Sequence, residues 1–392
     1  MDFIVVGAGI GGLSCANALA REGHNVRVLE RTSELRPVGA GISLQPNAMQ
    51  AIRRFDLFDE VSAVSWSANN AQVLSSVGKV FTEFDFTGYE SRFQTLPLTV
   101  FRGDLVRVLA EGLGNRRGDT TIELNQEFDS FEESDDRILV RTKSGAEYSG
   151  EVLIAADGIH SIVRNQLWGE QSIRYSGYTC WRGIVDEPSL VSQVSKMTEV
   201  WGKGTRCGFM RCNESQVYWF ATEDRKQRSD HLKDTEWKSR FQNWVDPIPK
   251  LINTTPDESI VHTDLIDLKP MSAWSRGRVT LLGDAAHAMT PNFGQGGAQA
   301  IEDAVCLALV LKNAGDLPSA LRMYESLRIP RTTSIVKGAW SYGKIAQGGN
   351  WFRRFLRNQV MTRLPKSFID KQLAQQLDFD GWLSQNLSRI HA

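Results

Sequence analysis

Three short stretches pair glycine with a carboxylate. Gly7-Ala8-Gly9-Ile10-Gly11-Gly12 is followed by Glu30, Ala155-Ala156 leads into Asp157-Gly158, and Gly283-Asp284 precedes Pro291 and Gly294-Gln295-Gly296-Gly297. Glycine lets a ligand reach backbone N–H groups, and the start of a helix favours negative charge. Glycines at 7, 9 and 12 have G-x-G-x-x-G spacing, with an acid about 20 residues further on. That pattern makes a tight turn and admits a pyrophosphate, while Glu30 takes a ribose hydroxyl pair. It does not choose between FAD and NAD(P). No second copy occurs, so a protein using both holds one tightly and borrows the other. The turn Gly294–Gly297 suits the edge of a reduced flavin, which is negative at N1 and the C2 carbonyl. A plain strand-to-helix connection accounts for the same residues.

These corners need strands before them and helices after them. Phe3–Val6, Val152–Ala155 and Val279–Leu282 are apolar runs of the buried-strand kind. Leu13–Ala20 reads as the first helix and Val26–Leu29 as the second strand. Ala298–Leu311 reads as a helix with an apolar stripe at Ala300, Ile301, Ala304, Leu307, Ala308 and Leu311. Pro46–Phe55 and Arg102–Leu113 are further helices. Arg102 opens its helix, where a positive side chain opposes the dipole and calls for an anion. Thr121–Leu124, Phe128–Glu132, Ile138–Thr142 and Glu147–Ser149 are short strands, and Arg164, on the helix after Asp157, is expected to face water. From 173 to 264 short β runs dominate, interrupted by a helix over 235–245. Trp181, Trp201, Trp219, Trp237 and Trp244 fall there and suit either an apolar substrate pocket or a plain aromatic core. Ser319–Ala339 is a long helix with a bend expected at Pro330.

The chain has 392 residues and a formal net charge of −1, which gives no reason to expect nucleic acid as a partner. Five cysteines without a C-x-x-C pair argue against a disulfide framework or a zinc site and for a reducing, cytoplasmic setting. No signal peptide is expected before the first strand, and no run is long and apolar enough to span a membrane. Metal ligation and a nucleophilic triad are not expected. Trp351–Arg363 alternates Trp351, Phe352, Phe355, Leu356 and Val360 with four arginines. Such a segment packs on its own domain or touches a membrane surface.

With Ala155-Ala156-Asp157-Gly158-Ile159-His160-Ser161-Ile162-Val163-Arg164 and Gly283-Asp284-Ala285-Ala286-His287, the sequence resembles the single-component (class A) FAD monooxygenases. The resemblance covers residues 1 to about 365 and is nearest the urate hydroxylase, zeaxanthin epoxidase and alkylquinolone 3-hydroxylase branch. It implies an α/β fold: a Rossmann-like FAD-binding domain of the para-hydroxybenzoate hydroxylase type, an inserted β-sheet substrate domain and C-terminal helices. The expected borders are 1–71, 93–172 and 265–345 for FAD binding, 72–92 and 173–264 for substrate, and 346–392 for the helical end. FAD contacts are implied for Gly7, Gly9, Gly11, Gly12, Glu30 and Arg31. The loop with Gly39 and Gly41 is implied along the flavin ring, with Arg102, Asp157, Gly158, Gly283 and Asp284 at other points of the cofactor. Pro291, Gly294, Gly296 and Gly297 are implied as wall and anion site.

The implied reaction uses NADH or NADPH to reduce FAD. Oxygen then adds at flavin C4a, and the distal oxygen of the hydroperoxide attacks an aromatic or heteroaromatic carbon. Arg206 and Tyr218 align with substrate-site residues of the urate-hydroxylase type, and Arg182 lies by a strand end. A phenol or an arginine beside a heterocycle steadies its deprotonated form. Met210-Arg211 stands where related proteins are expected to carry a proline. An olefin epoxidase and a flavin dehydrogenase or reductase are the alternatives on the same scaffold. A halogenase is disfavoured, because no W-x-W-x-I-P stretch occurs, and a non-catalytic flavin-binding protein has little support.

Overall fold

The computed structural model describes residues 1–35, 40–114, 118–225, 236–348, 359 and 375–390. Apolar runs with no polar alternation need cover on both faces, and the two most complete of them lie mid-sheet. The six-stranded sheet runs Ser275–Arg276, Val279–Leu281, Val152–Ala155, Asp2–Val6, Asn25–Leu29 and Thr120–Glu123. All neighbours pair in parallel except the edge strand Ser275–Arg276. From Asp2–Val6 the chain first builds to one side, then returns to build on the other. That reversal leaves a crevice at the carboxyl ends of the strands. Helix Ile10–Arg21 and helix Gly296–Asn313 close in over it. Gly11 permits their approach: a Cβ there would lie 3.0 Å from Leu282 and 3.3 Å from the Ala300 methyl.

A seven-stranded sheet forms the second layer, in the order Val261–Leu268, Ile173–Val185, Val217–Asp224, Thr205–Arg211, Met197–Trp201, Asn70–Ser75, Val80–Asp85. Period-two alternation sorts its side chains. Cys180, Arg182, Tyr218, Phe220, Thr222, Arg206 and Met210 share the face toward the crevice. The other face carries Trp181, Phe209, Val217, Trp219 and Ala221, which form a core with Trp237, Phe241, Ile248 and Leu251. Trp181 and Trp219 stack on Trp237 at centroid separations of 4.6 and 6.2 Å. These tryptophans therefore build a core and turn away from the cavity.

Three local readings change. The helix expected over 235–245 is a 3-10 turn, Trp237–Phe241, followed by the helix Ile248–Thr254. Pro247 lacks an N–H and disfavours helical geometry at Asp246, so the two cannot fuse. The long helix is longer than expected, running from Leu317 to Gln347 with Pro330 inside it, held by the burial of Leu321, Tyr324, Leu327, Ile335 and Val336. Arg164 does not face water but is 1 % exposed. At the far end, helix Phe379–Ile390 docks through the Phe379 N–H on Gln50 Oε1 at 2.8 Å. The segment Trp351–Arg363 lies, Gln359 apart, outside the described residues. Among the described residues no helix is long and apolar enough to cross a membrane.

Candidate active site

The strands ending at Val6, Ala155 and Leu281 are neighbours, so the three glycine–carboxylate corners emerge side by side. Gly7 has a φ of +103°, and a Cβ on it would lie 2.5 Å from the Ala156 carbonyl oxygen. A Cβ on Gly12 would lie 1.9 Å from the Gly7 carbonyl oxygen. These two glycines shape the turn from behind. Gly9 differs: a Cβ there meets nothing within 4 Å, and the residue borders a cavity of about 930 Å³. The helix N-terminus therefore opens onto free space.

At one end of that cavity stands Glu30. Its Oε2 accepts from the Ala8 N–H at 2.8 Å, and its Oε1 from the Thr32 N–H at 2.9 Å, which leaves further lone pairs for hydroxyl donors. Asp157 caps the following helix by accepting from the Ile162 N–H at 2.9 Å, while its other oxygen is buried without a partner. Burial raises the Asp157 pKa against the hydrogen bonds that lower it. Among the described residues Asp284 has no hydrogen-bond partner, and it opens onto the cavity floor. Crowding by surrounding protein raises its pKa, opposed by His287 and Arg102, and access to the cavity moderates the effect.

Behind the floor lies a fully buried network. Asp303 accepts from the Gly283 N–H at 3.0 Å, from His287 Nε2 at 2.6 Å and from Arg328 Nε at 2.7 Å. Arg328 also donates to Glu302 at 2.6 Å. Arg164 joins two corners, donating from Nη1 to the Ala285 carbonyl at 3.0 Å and from Nη2 to the Ile159 carbonyl at 2.7 Å. Among the described residues no carboxylate pairs with it, and burial lowers its pKa against the pull of Asp157. Sequence reasoning missed this role because a lone arginine on a short helix carries no burial signal.

The long cavity, the open helix N-terminus, the ribose-competent Glu30 and the unpartnered Asp157 oxygen together fit an extended dinucleotide bearing donors of its own. The sequence profile of the FAD binding domain family matches residues 1–339. The chain belongs to the FAD binding domain family. It is similar to the aurachin C monooxygenase/isomerase of Stigmatella aurantiaca, 38% identical over 381 residues that cover 97% of this chain and 98% of that protein. The 2-heptyl-3-hydroxy-4(1H)-quinolone synthase of Pseudomonas aeruginosa is 33% identical, covering 94% and 95% of the two chains. The crystal structure of Klebsiella pneumoniae HpxO complexed with FAD and uric acid superposes with a TM-score of 0.88, at 29% identity and with 96% of each chain covered. Within this family the chain is an FAD-dependent monooxygenase, with FAD as cofactor and NADH or NADPH as the transient donor.

Most of the residues expected to hold FAD border the cavity: Gly7, Gly9, Gly11, Glu30, Arg31, Arg102, Asp157 and Gly158 do, as do Gly283, Asp284, Gly294, Gly296 and Gly297. Gly12 stands behind the turn rather than in the wall. Gly39 lies outside the described residues. At the opposite end the wall holds Arg206, Tyr218 and Pro291. Arg206 is 3 % exposed and fully engaged: Nε donates to Gln347 at 2.7 Å, Nη1 to Glu199 at 3.0 Å and Nη2 to Asn292 at 2.7 Å. Tyr218 packs over Gly41, where a Cβ would come within 2.5 Å of it. Burial pushes its phenol well up, so it stays protonated at neutral pH. Glu199, Asn292 and Gln347 were invisible in the sequence, since each matters only through Arg206.

Proposed function

We propose that this FAD monooxygenase inserts one atom of O2 into a polar heteroaromatic small molecule held between the flavin end of the cavity and the Arg182–Tyr218 face. One observation carries this reading: the cofactor corners and a face of alternating polar and apolar side chains border the same cavity. Arg182, Arg206, Tyr218 and Thr222 line that face beside Phe220, Met210 and Leu265. That mixture suits a ring with hydrogen-bonding edges better than a hydrocarbon polyene, and so favours hydroxylation over olefin epoxidation or dehydrogenation. The chain's relatives named for quinolone and urate chemistry support the same class.

Bound FAD, reduced by NADH or NADPH, supplies the activation of O2. The protein's part is binding, orientation and exclusion of water. The N-terminus of Ile10–Arg21, open at Gly9, holds the pyrophosphate, and Glu30 with Arg31 holds the ribose end. Arg102 offers its charge to the cofactor. Asp284, and the N–H groups of Gly296 and Gly297 at the start of a helix, address the polar edge of the ring. Pro291 and the turn through Gly294 wall the reacting face, with Gly158 and Gly283 admitting close contact. Tyr218, neutral, donates a hydrogen bond to the substrate, while Arg206 fixes the sheet against Asn292. The domain division 1–71, 93–172 and 265–345 against 72–92 and 173–264, with 346–392 as the helical end, belongs to this proposal, as does a cytoplasmic setting.

A panel of phenols, hydroxyquinolines, purines and polyenes tests the reading. We expect a hydroxyquinoline or purine to stimulate NAD(P)H consumption and to gain one oxygen from 18O2 by mass. Stimulation by polyenes alone, or product formed without label, would rule the reading out.

A further inference from the structure

Arg206 and Arg182 both face the substrate end of the cavity, but their circumstances differ. Each Arg206 side-chain nitrogen already donates to a protein oxygen. Arg182 is only partly exposed and forms no ion pair with a carboxylate among the described residues; its polar contact is the neighbouring Cys180 thiol. Its neighbours on the sheet face cannot neutralise it. Phe220 is its cross-strand partner, Cys180 precedes it on the same face, and Tyr218 lies diagonally across. Burial raises the pKa of both Cys180 and Tyr218, so thiol and phenol remain neutral. The one carboxylate on this part of the wall, Glu199, already accepts from Arg206 and from Trp201 Nε1 at 2.9 Å.

A partly buried cation without a counter-charge is costly, and a fold keeps one where a ligand completes it. We infer that Arg182 is the substrate's charge-recognition group, binding an anionic oxygen (a carboxylate, enolate or phenolate) of the heteroaromatic compound. The guanidinium takes that oxygen in a charge-assisted hydrogen bond, with the Tyr218 hydroxyl as a second donor. The inference rests on the proposed function for the location of the substrate, and it assigns selectivity to Arg182 rather than to Arg206.

The test uses oxidised holoenzyme and two probes of nearly equal shape, 4-hydroxyquinoline-2-carboxylate and 4-hydroxyquinoline-2-carboxamide. Binding is read from perturbation of the flavin absorbance at pH 7.5. The carboxylate is expected to bind about tenfold or more tightly than the carboxamide. Arg182→Met should abolish that preference by weakening the carboxylate about tenfold more than the carboxamide, and Arg182→Lys should retain most of it. The retained flavin spectrum of the lysine variant guards against general misfolding. A wild-type enzyme without the preference, or a preference that survives Arg182→Met, overturns the inference. Because the readout is binding alone, it stays separate from the oxygen-incorporation assay, which tests the reaction.

Discussion

Arg164 Nη1 donates to the carbonyl oxygen of Ala285 at 3.0 Å, joining two cofactor corners that lie 121 residues apart in the chain. The same guanidinium holds the Ile159 carbonyl. Arg164→Ala therefore frees both corners and leaves the buried Ala285 carbonyl and the part-buried Ile159 carbonyl with reduced satisfaction, worth about 1–3 kcal/mol for the buried one. It also removes a buried cation that lacks a carboxylate, which offsets part of the stability loss. We expect FAD affinity, measured by calorimetry on apoprotein, to fall about tenfold while the melting temperature drops only modestly. Unchanged FAD affinity would show that the corners are held by other contacts.

Gly9 and Gly12 belong to one fingerprint but should fail differently. A Cβ at position 12 collides with the backbone at Gly7, so Gly12→Ala should cost about 3 kcal/mol or more and yield little soluble protein. A Cβ at position 9 enters open cavity space at an ordinary negative φ of −77°. Gly9→Ala should fold with apoprotein stability near wild type and lose most FAD binding. Equal melting temperatures for the two apoproteins would contradict this division.

Asn292 connects the wall at Pro291 to the sheet. It accepts from Arg206 and donates to Tyr178 Oη and the Ala339 carbonyl, each at 2.8 Å. Asn292→Leu leaves Arg206 Nη2 without this partner, at a stability cost of about 1–3 kcal/mol. With the wall loosened, water reaches the reacting centre more readily. The ratio of hydroxylated product to NAD(P)H consumed should fall and hydrogen peroxide rise, while the rate of flavin reduction holds. A variant that couples as well as wild type would remove Asn292 from this role.

Glu302 and Asp303 set the acid limit of stability. Burial raises both pKa values, but Arg331 and Arg328 around Glu302, and His287 and Arg328 around Asp303, outweigh it, and both end below their ordinary values of 4.5 and 3.8. Folded values below unfolded ones mean a stabilisation present above the unfolded pKa and lost as pH falls through the folded values. The contribution should be constant near neutrality and fall away below about pH 4. Arg328→Met removes the cation shared by two buried carboxylates, leaving Glu302 to Arg331 and Asp303 to His287, at a cost of about 3 kcal/mol at pH 7. It should also raise their pKa values and move the acid unfolding midpoint upward. Denaturation curves across pH 3–7 for both proteins check the shift, and coincident midpoints would refute it.

The elements themselves were largely legible in the chain. Val152–Ala155 and Arg102–Leu113 are found where the apolar pattern puts them, because a buried strand and a one-sided helix leave periodic signatures. Pattern failed where a distant partner overrides local preference. The helix expected over 235–245 is a 3-10 turn whose Trp237 packs on Trp181 and Trp219. Arg164, expected to face water, is buried against the Ala285 carbonyl.

By itself the sequence determined the three glycine–carboxylate corners and the strands that end in them, since turn geometry, helix-terminal charge and apolar periodicity are local properties. Only the tertiary structure decided which arginines serve which end. Arg164 is buried between two corners, Arg206 is consumed by Glu199, Asn292 and Gln347, and Arg182 stands on the cavity face with no carboxylate paired to it among the described residues. None of these pairings is visible in the local sequence around the three arginines. A guanidinium's role depends on whether a carboxylate or carbonyl from elsewhere in the chain comes within hydrogen-bond reach, and that is settled only when the two sheets close on each other.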